Sequence, residues 1–169
     1  SKGYAGTTMQ ELVAATGLHP GSLYGAFGNK RGLLLAAVDH YVCQKRTRRR
    51  EVMAEPSPLA GIEAYLRLVV EDTLSGACLV ARMLMEMSAQ DEELAGRLQQ
   101  IYQELEQDLH QALKVAAEQG ELVQGQSLES LTGYLLVAIQ GLITFGQCRS
   151  DHALLLEVVA CVMRSLRNA

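Results

Sequence analysis

Apolar residues recur at helical spacing along nearly the whole chain, and its Gly, Pro and Asn positions fall where helices are expected to stop. In residues 7–16, Met9, Leu12 and Val13 lie at i, i+3 and i+4, and Thr7/Gln10 and Thr8/Glu11 offer two capping boxes one residue apart. Gly17 suits the left-handed stop. Pro20 opens a second short helix with its φ preset and without losing a needed N–H, and Leu23 and Phe27 point inward. Gly28-Asn29 breaks the chain again. Asn29 caps a long helix over residues 30–50 or slightly beyond, with Leu33, Leu34, Ala37, Val38 and Tyr41 as its buried stripe.

The clearest punctuation is Glu55-Pro56-Ser57-Pro58, which separates an N-terminal domain, residues 1–50, from a larger C-terminal one, residues 51–169. Further helices are predicted at 59–74, 77–89, 92–119, 128–147 and 151–167, with stops at Gly76, Gly120 and Gly125. No alternating stretch competes. The expected class is all-α. At 49% hydrophobic residues and 20% charged ones the chain can bury a sizeable core, and three prolines with only six Tyr and two Phe favour helix over strand.

Net charge is −4, but residues 1–50 hold eight Lys and Arg against two acids, +6, leaving −10 on the remainder. A basic end on an acidic body suits a polyanion partner at that end. Much of the excess lies in Lys45, Arg46, Arg48, Arg49 and Arg50, which read as the solvated end of the long helix or as contacts to flanking DNA. Cys43, Cys78, Cys148 and Cys161 show no C-x-x-C or His/Cys spacing, and no secretory signal precedes them. A reducing cytosolic setting is expected, with no metal and no cofactor. Residues 131–148 carry no charge over 18 positions, yet Gln140, Gln147, Thr132, Thr144 and three glycines argue for a helix covered by a partner subunit rather than by membrane.

Two short helices joined by Gly17-Leu18-His19 match a helix-turn-helix, whose second helix enters the major groove. Leu12, Val13, Leu18, Leu23 and Phe27 would knit the pair to the long helix, leaving His19, Pro20, Gly21, Ser22, Tyr24 and Gly25 outward. An ordinary αα corner has the same loose pattern. More specific is G-Y-x-G-T-T-M-x-E-L-x-x-x-T-G-L-x-x-G-S-L-Y-x-x-F-x-N-K-x-x-L-L over residues 3–34, which closely resembles the DNA-binding signature of the TetR family. The resemblance implies a helix-turn-helix domain, then an all-helical ligand-binding and dimerisation domain. It implies a homodimer on near-palindromic double-stranded operator DNA, a repressor released by a small apolar or amphipathic ligand, and no membrane partner. Most of the family's first helix would precede Gly3, so the chain is expected to be truncated there.

Residue by residue, the resemblance assigns Thr8, Ser22, Tyr24 and Lys30 to phosphates, with Thr7 beside them, and His19, Pro20, Gly21 and Gly25 to bases; Ala26 stands where many relatives carry His. It places the dimer interface on the last two helices as a four-helix bundle. The residues expected there are Leu131, Leu135, Ala138, Ile139, Leu142, Phe145, Leu155, Val158, Val159 and Val162, while Leu136, Val137 and Ile143 occupy other sides. Tyr65, Leu66, Val69, Cys78, Met83, Met87, Leu105 and Tyr134 are candidates for a ligand pocket, with solid core as the plain alternative. Residues 77–82 resemble a Gly-Cys-Leu segment found in some TetR-like C-terminal domains, which makes Cys78 either a thiol sensor or inert packing.

Two other classes remain: a helical protein-binding adaptor, and a Cys-dependent enzyme with His40, His110 or His152 as base. No Cys/His pair stands in a recognisable catalytic setting and no Gly-rich phosphate loop follows a strand, so an enzyme is not expected.

Overall fold

The computed structural model describes residues 8–17, 19–75 and 91–167 of 169, without the side chains of Leu12 and Thr16. Thr7, Leu18, the predicted helix 77–89 with its Cys78, Met83 and Met87, and the stop at Gly76 lie outside the described residues. The described chain forms seven helices: α1 Met9–Thr16, α2 Pro20–Phe27, α3 Lys30–Met53, α4 Pro58–Leu74, α5 Glu92–Glu118, α6 Leu128–Cys148 and α7 His152–Leu166. They group into two compact units, Ser1–Gln44 and Lys45–Ala169.

In the first unit, the caps explain the boundaries. Of the two possible boxes, the one at Thr8 forms: Thr8 Oγ1 accepts from the Glu11 N–H at 3.2 Å, and Glu11 Oε2 accepts from the Thr8 N–H at 2.8 Å. Gly17 ends α1 at φ 67° and Gly28 ends α2 at φ 71°, backbone that a Cβ would strain. Asn29 Oδ1 accepts from the Gly32 N–H at 2.9 Å and starts α3. Met9, Leu23 and Val38 are buried, and Leu33, Leu34 and Tyr41 are half-buried. Ala37, expected in the stripe, is exposed. Leu34, Val38 and Tyr41 run at i, i+4, i+7, and residue 37 is turned about 100° away from Val38.

The second unit packs α4 against α5, α6 and α7. Its core joins Ile62, Leu66 and Val70 of α4 to Leu109 and Leu113 of α5, Leu135 and Ile139 of α6, and Leu155 and Val159 of α7. Ser57 caps α4, its Oγ accepting from the Ala60 N–H at 3.2 Å while donating to Glu121 Oε2 at 2.9 Å. By length and composition α6 is apolar enough to cross a membrane, but one of its faces lies in this core.

Candidate nucleic-acid interface

The N-terminal candidates stand on two helix starts and one short helix. Thr8 is exposed at the N-cap of α1, and Lys30 is half-buried at the first position of α3. Both lie where backbone N–H groups lack intrahelical acceptors and an anion is favoured. On α2 and its cap, His19, Pro20, Gly21, Ser22, Tyr24 and Gly25 are all exposed, Tyr24 at 47%, so none is used up by the core. His19 is the N-cap in extended backbone (φ −65°, ψ 133°), and its Nδ1 accepts from the Gly21 N–H at 3.1 Å. A Cβ added at Gly25 would meet nothing within 4 Å. This surface offers an imidazole, a phenol, a serine hydroxyl and bare backbone, which suits close approach to a groove.

The basic run at 45–50 is neither a solvated tail nor a row of free cations. Lys45 and Arg48, three apart on α3, both pair with Asp72 of α4. Arg46 Nε and Nη2 each donate to a Glu104 oxygen at 2.7 Å, and Arg49 donates twice to Asp108 on α5. Arg49 is buried and Arg50 lies 3.6 Å from Asp108. The run therefore ties the end of α3 to α4 and α5 within the second compact unit, Lys45–Ala169.

The proposed dimer residues divide by face. Leu131, Leu135, Ile139, Leu142, Leu155, Val159 and Val162 are buried inside the chain's own core and offer no surface to a partner. The more leucine-rich face of α6 is the one that packs on α4 and α5. Ala138 is half-buried against the same core, whereas Phe145 and Val158 do reach outward, joined by Gly133, Tyr134, Val137, Gly141 and Cys161. Of these, Val137 is 73% exposed. Positions 134, 137, 141 and 145 share one stripe of α6, uncharged along its length. Tyr134, expected in the ligand pocket, belongs to this outer face and accepts from Ser165 Oγ of α7 at 3.2 Å.

Among the other ligand candidates, Leu66, Val69 and Leu105 are core residues and Tyr65 is half-buried against them. A cavity of about 290 Å³ lies elsewhere in the unit, lined by Arg50, Met53, Pro58, Asp108, Ala112 and Val115 among others. His110 faces Thr132 at 3.3 Å and His152 faces Glu71 at 2.8 Å. Cys43, Cys148 and Cys161 are exposed thiols. Among the described residues no three His, Cys, Asp or Glu side chains are placed to hold a metal ion.

Two family models match the chain: bacterial regulatory proteins of the tetR family over residues 1–37, and the tetracyclin repressor-like C-terminal domain over residues 59–161. The uncharacterized HTH-type transcriptional regulator YezE of Bacillus subtilis is 29% identical over 128 residues, 71% of this chain and 64% of that protein. An uncharacterized HTH-type regulator in the lacX 3' region of Lactococcus lactis is 29% identical over 118 residues, 66% of this chain and 60% of its own length. The chain thus spans less than two thirds of either relative. Among solved structures, a cysteine mutant of the TetR-family regulator CifR, complexed with 26-bp double-strand operator DNA, is 26% identical with a TM-score of 0.74, covering 97% of this chain and 88% of that one.

Proposed function

Because the chain belongs to the TetR family of bacterial regulatory proteins, we propose that it is a transcriptional repressor that binds operator DNA through α1, α2 and the start of α3. The observation that carries this is that His19, Pro20, Gly21, Ser22, Tyr24 and Gly25, on α2 and its cap, are exposed, preceded by a capped α1 and followed by Lys30 at a helix start. Ser22, Tyr24, Thr8 and Lys30 hold phosphates, and His19, Pro20, Gly21 and Gly25 face the bases. With so few side-chain donors, backbone proximity, thymine-methyl contacts and DNA shape contribute strongly to recognition.

The protein acts as a homodimer across the outer stripe of α6 and α7, and two-fold symmetry calls for a near-palindromic operator with half-sites about one helical turn apart. A small apolar or amphipathic ligand taken up by the helical unit releases the DNA, with Tyr65 the candidate that combines an apolar body and a polar tip. The setting is cytoplasmic, and the protein is a regulator rather than an enzyme. A gel shift or fluorescence-anisotropy titration against the duplex upstream of its own gene, at several salt concentrations, tests this. Salt-dependent, sequence-preferring binding is expected; no duplex binding at low salt would favour a protein-binding adaptor. Thermal-shift screening of small molecules then identifies ligands that stabilise the protein and weaken that binding.

A further inference from the structure

We infer that His19 reads a base edge as a hydrogen-bond donor whose tautomer is set by its own helix cap. Building on the DNA-binding reading, this assigns the chemistry of one contact. The Gly21 N–H donates to His19 Nδ1 at 3.1 Å, so Nδ1 presents its lone pair and the proton of the neutral ring resides on Nε2. Capping thus fixes the ring's outward chemistry: Nε2–H is a donor and not an acceptor.

Four neighbours make this arrangement matter. The Pro20 ring sterically disfavours helical backbone at the preceding residue, which holds His19 in the extended backbone that a cap requires. A Cβ at residue 21 would lie 3.2 Å from His19 Nδ1 and 3.5 Å from Cε1, so glycine there leaves the ring room to cap. Pro20, Gly21, Gly25 and Ala26 bring no hydrogen-bonding side chain to the exposed surface. The exposed His19 ring therefore supplies a directional donor at the front of α2, the end of a recognition helix that meets base edges. Its partner is a major-groove acceptor, purine N7 or guanine O6.

His19→Ser tests the assignment, because a serine hydroxyl also caps a helix but does not reach as far. The probes are the upstream duplex of the protein's own gene and a scrambled duplex of equal length, titrated by anisotropy across salt. Expected for the variant are unchanged helix content, unchanged affinity and salt slope on the scrambled duplex, and about tenfold weaker binding to the natural one. Equal loss on both duplexes with a shallower salt slope would make His19 a phosphate contact, and full retention on the natural duplex would leave it a cap alone. Either result overturns the inference. A wild-type protein that binds neither duplex removes the regulator reading and this contact with it.

Discussion

Arg49 of α3 donates from Nε and Nη2 to the same oxygen of Asp108, at 2.9 and 2.6 Å, with the arginine side chain only 7% exposed. A cation held this far from water depends on its partner, whereas the Arg46–Glu104 pair, with the arginine side chain 34% exposed, is screened by solvent. Asp108→Ala should therefore cost about 3 kcal/mol of unfolding free energy. Arg46→Gln should cost less than about 1 kcal/mol. Urea unfolding of both variants checks this, and equal losses would show that burial of Arg49 does not set the strength of its pair.

The same pairs bear on DNA affinity. Lys45, Arg46, Arg48 and Arg49 face protein carboxylates, so they should release no counterions on binding DNA. Arg46→Gln should leave the log-log salt slope of operator binding unchanged, while Lys30→Ala should reduce its magnitude by roughly 0.9 per lost phosphate contact. A slope that shifts for Arg46→Gln would place the basic run on the duplex after all.

Much of the first unit was legible because its signals are local. Thr8 with Glu11, Gly17, Pro20, Gly28 and Asn29 each act within four residues, and the structure realises those stops and starts. The fate of the basic run was not legible. Its partners Asp72, Glu104 and Asp108 lie 24 to 59 residues away, and an isolated helix with arginines three and four apart looks the same whether it faces water or carboxylates. For α6 the periodicity revealed apolar residues on more than one side, yet Leu135 and Val137 differ by 0% against 73% exposure only because α4 and α5 cover one of those sides. Hydrophobicity alone does not say which face meets its own chain.

Two glycines of the N-terminal unit should respond oppositely to alanine. At Gly25 a Cβ meets nothing within 4 Å, so Gly25→Ala should stabilise the free protein by about 0.5–1 kcal/mol through helix propensity. If α2 lies against a groove, the added methyl should still weaken operator binding several-fold. At Gly32 a Cβ would fall 2.0 Å from the Phe27 carbonyl oxygen, so Gly32→Ala should lower the melting temperature sharply. Thermal melts paired with anisotropy titrations separate the two, and undiminished binding by Gly25→Ala would mean that α2 does not approach DNA closely.

The outer stripe of α6 gives the most direct test of assembly. Val137 is 73% exposed within a surface that also presents Tyr134 and Phe145 at 41% and 45% and Val158 of α7 at 37%. Covering such a valine fully is worth about 1.5–3 kcal/mol, and two-fold symmetry counts every residue of the stripe twice. A glutamate there would bring a charge into the same place from both copies, so Val137→Glu should yield a monomer by sedimentation velocity at micromolar concentration. Its circular dichroism should match that of the native chain, since the side chain supports no internal packing. Leu135→Glu, at a position with no exposure, should instead lose the fold. If Val137→Glu sediments as a dimer while remaining helical, the two copies meet on a different surface and the spacing expected of the operator half-sites changes with it.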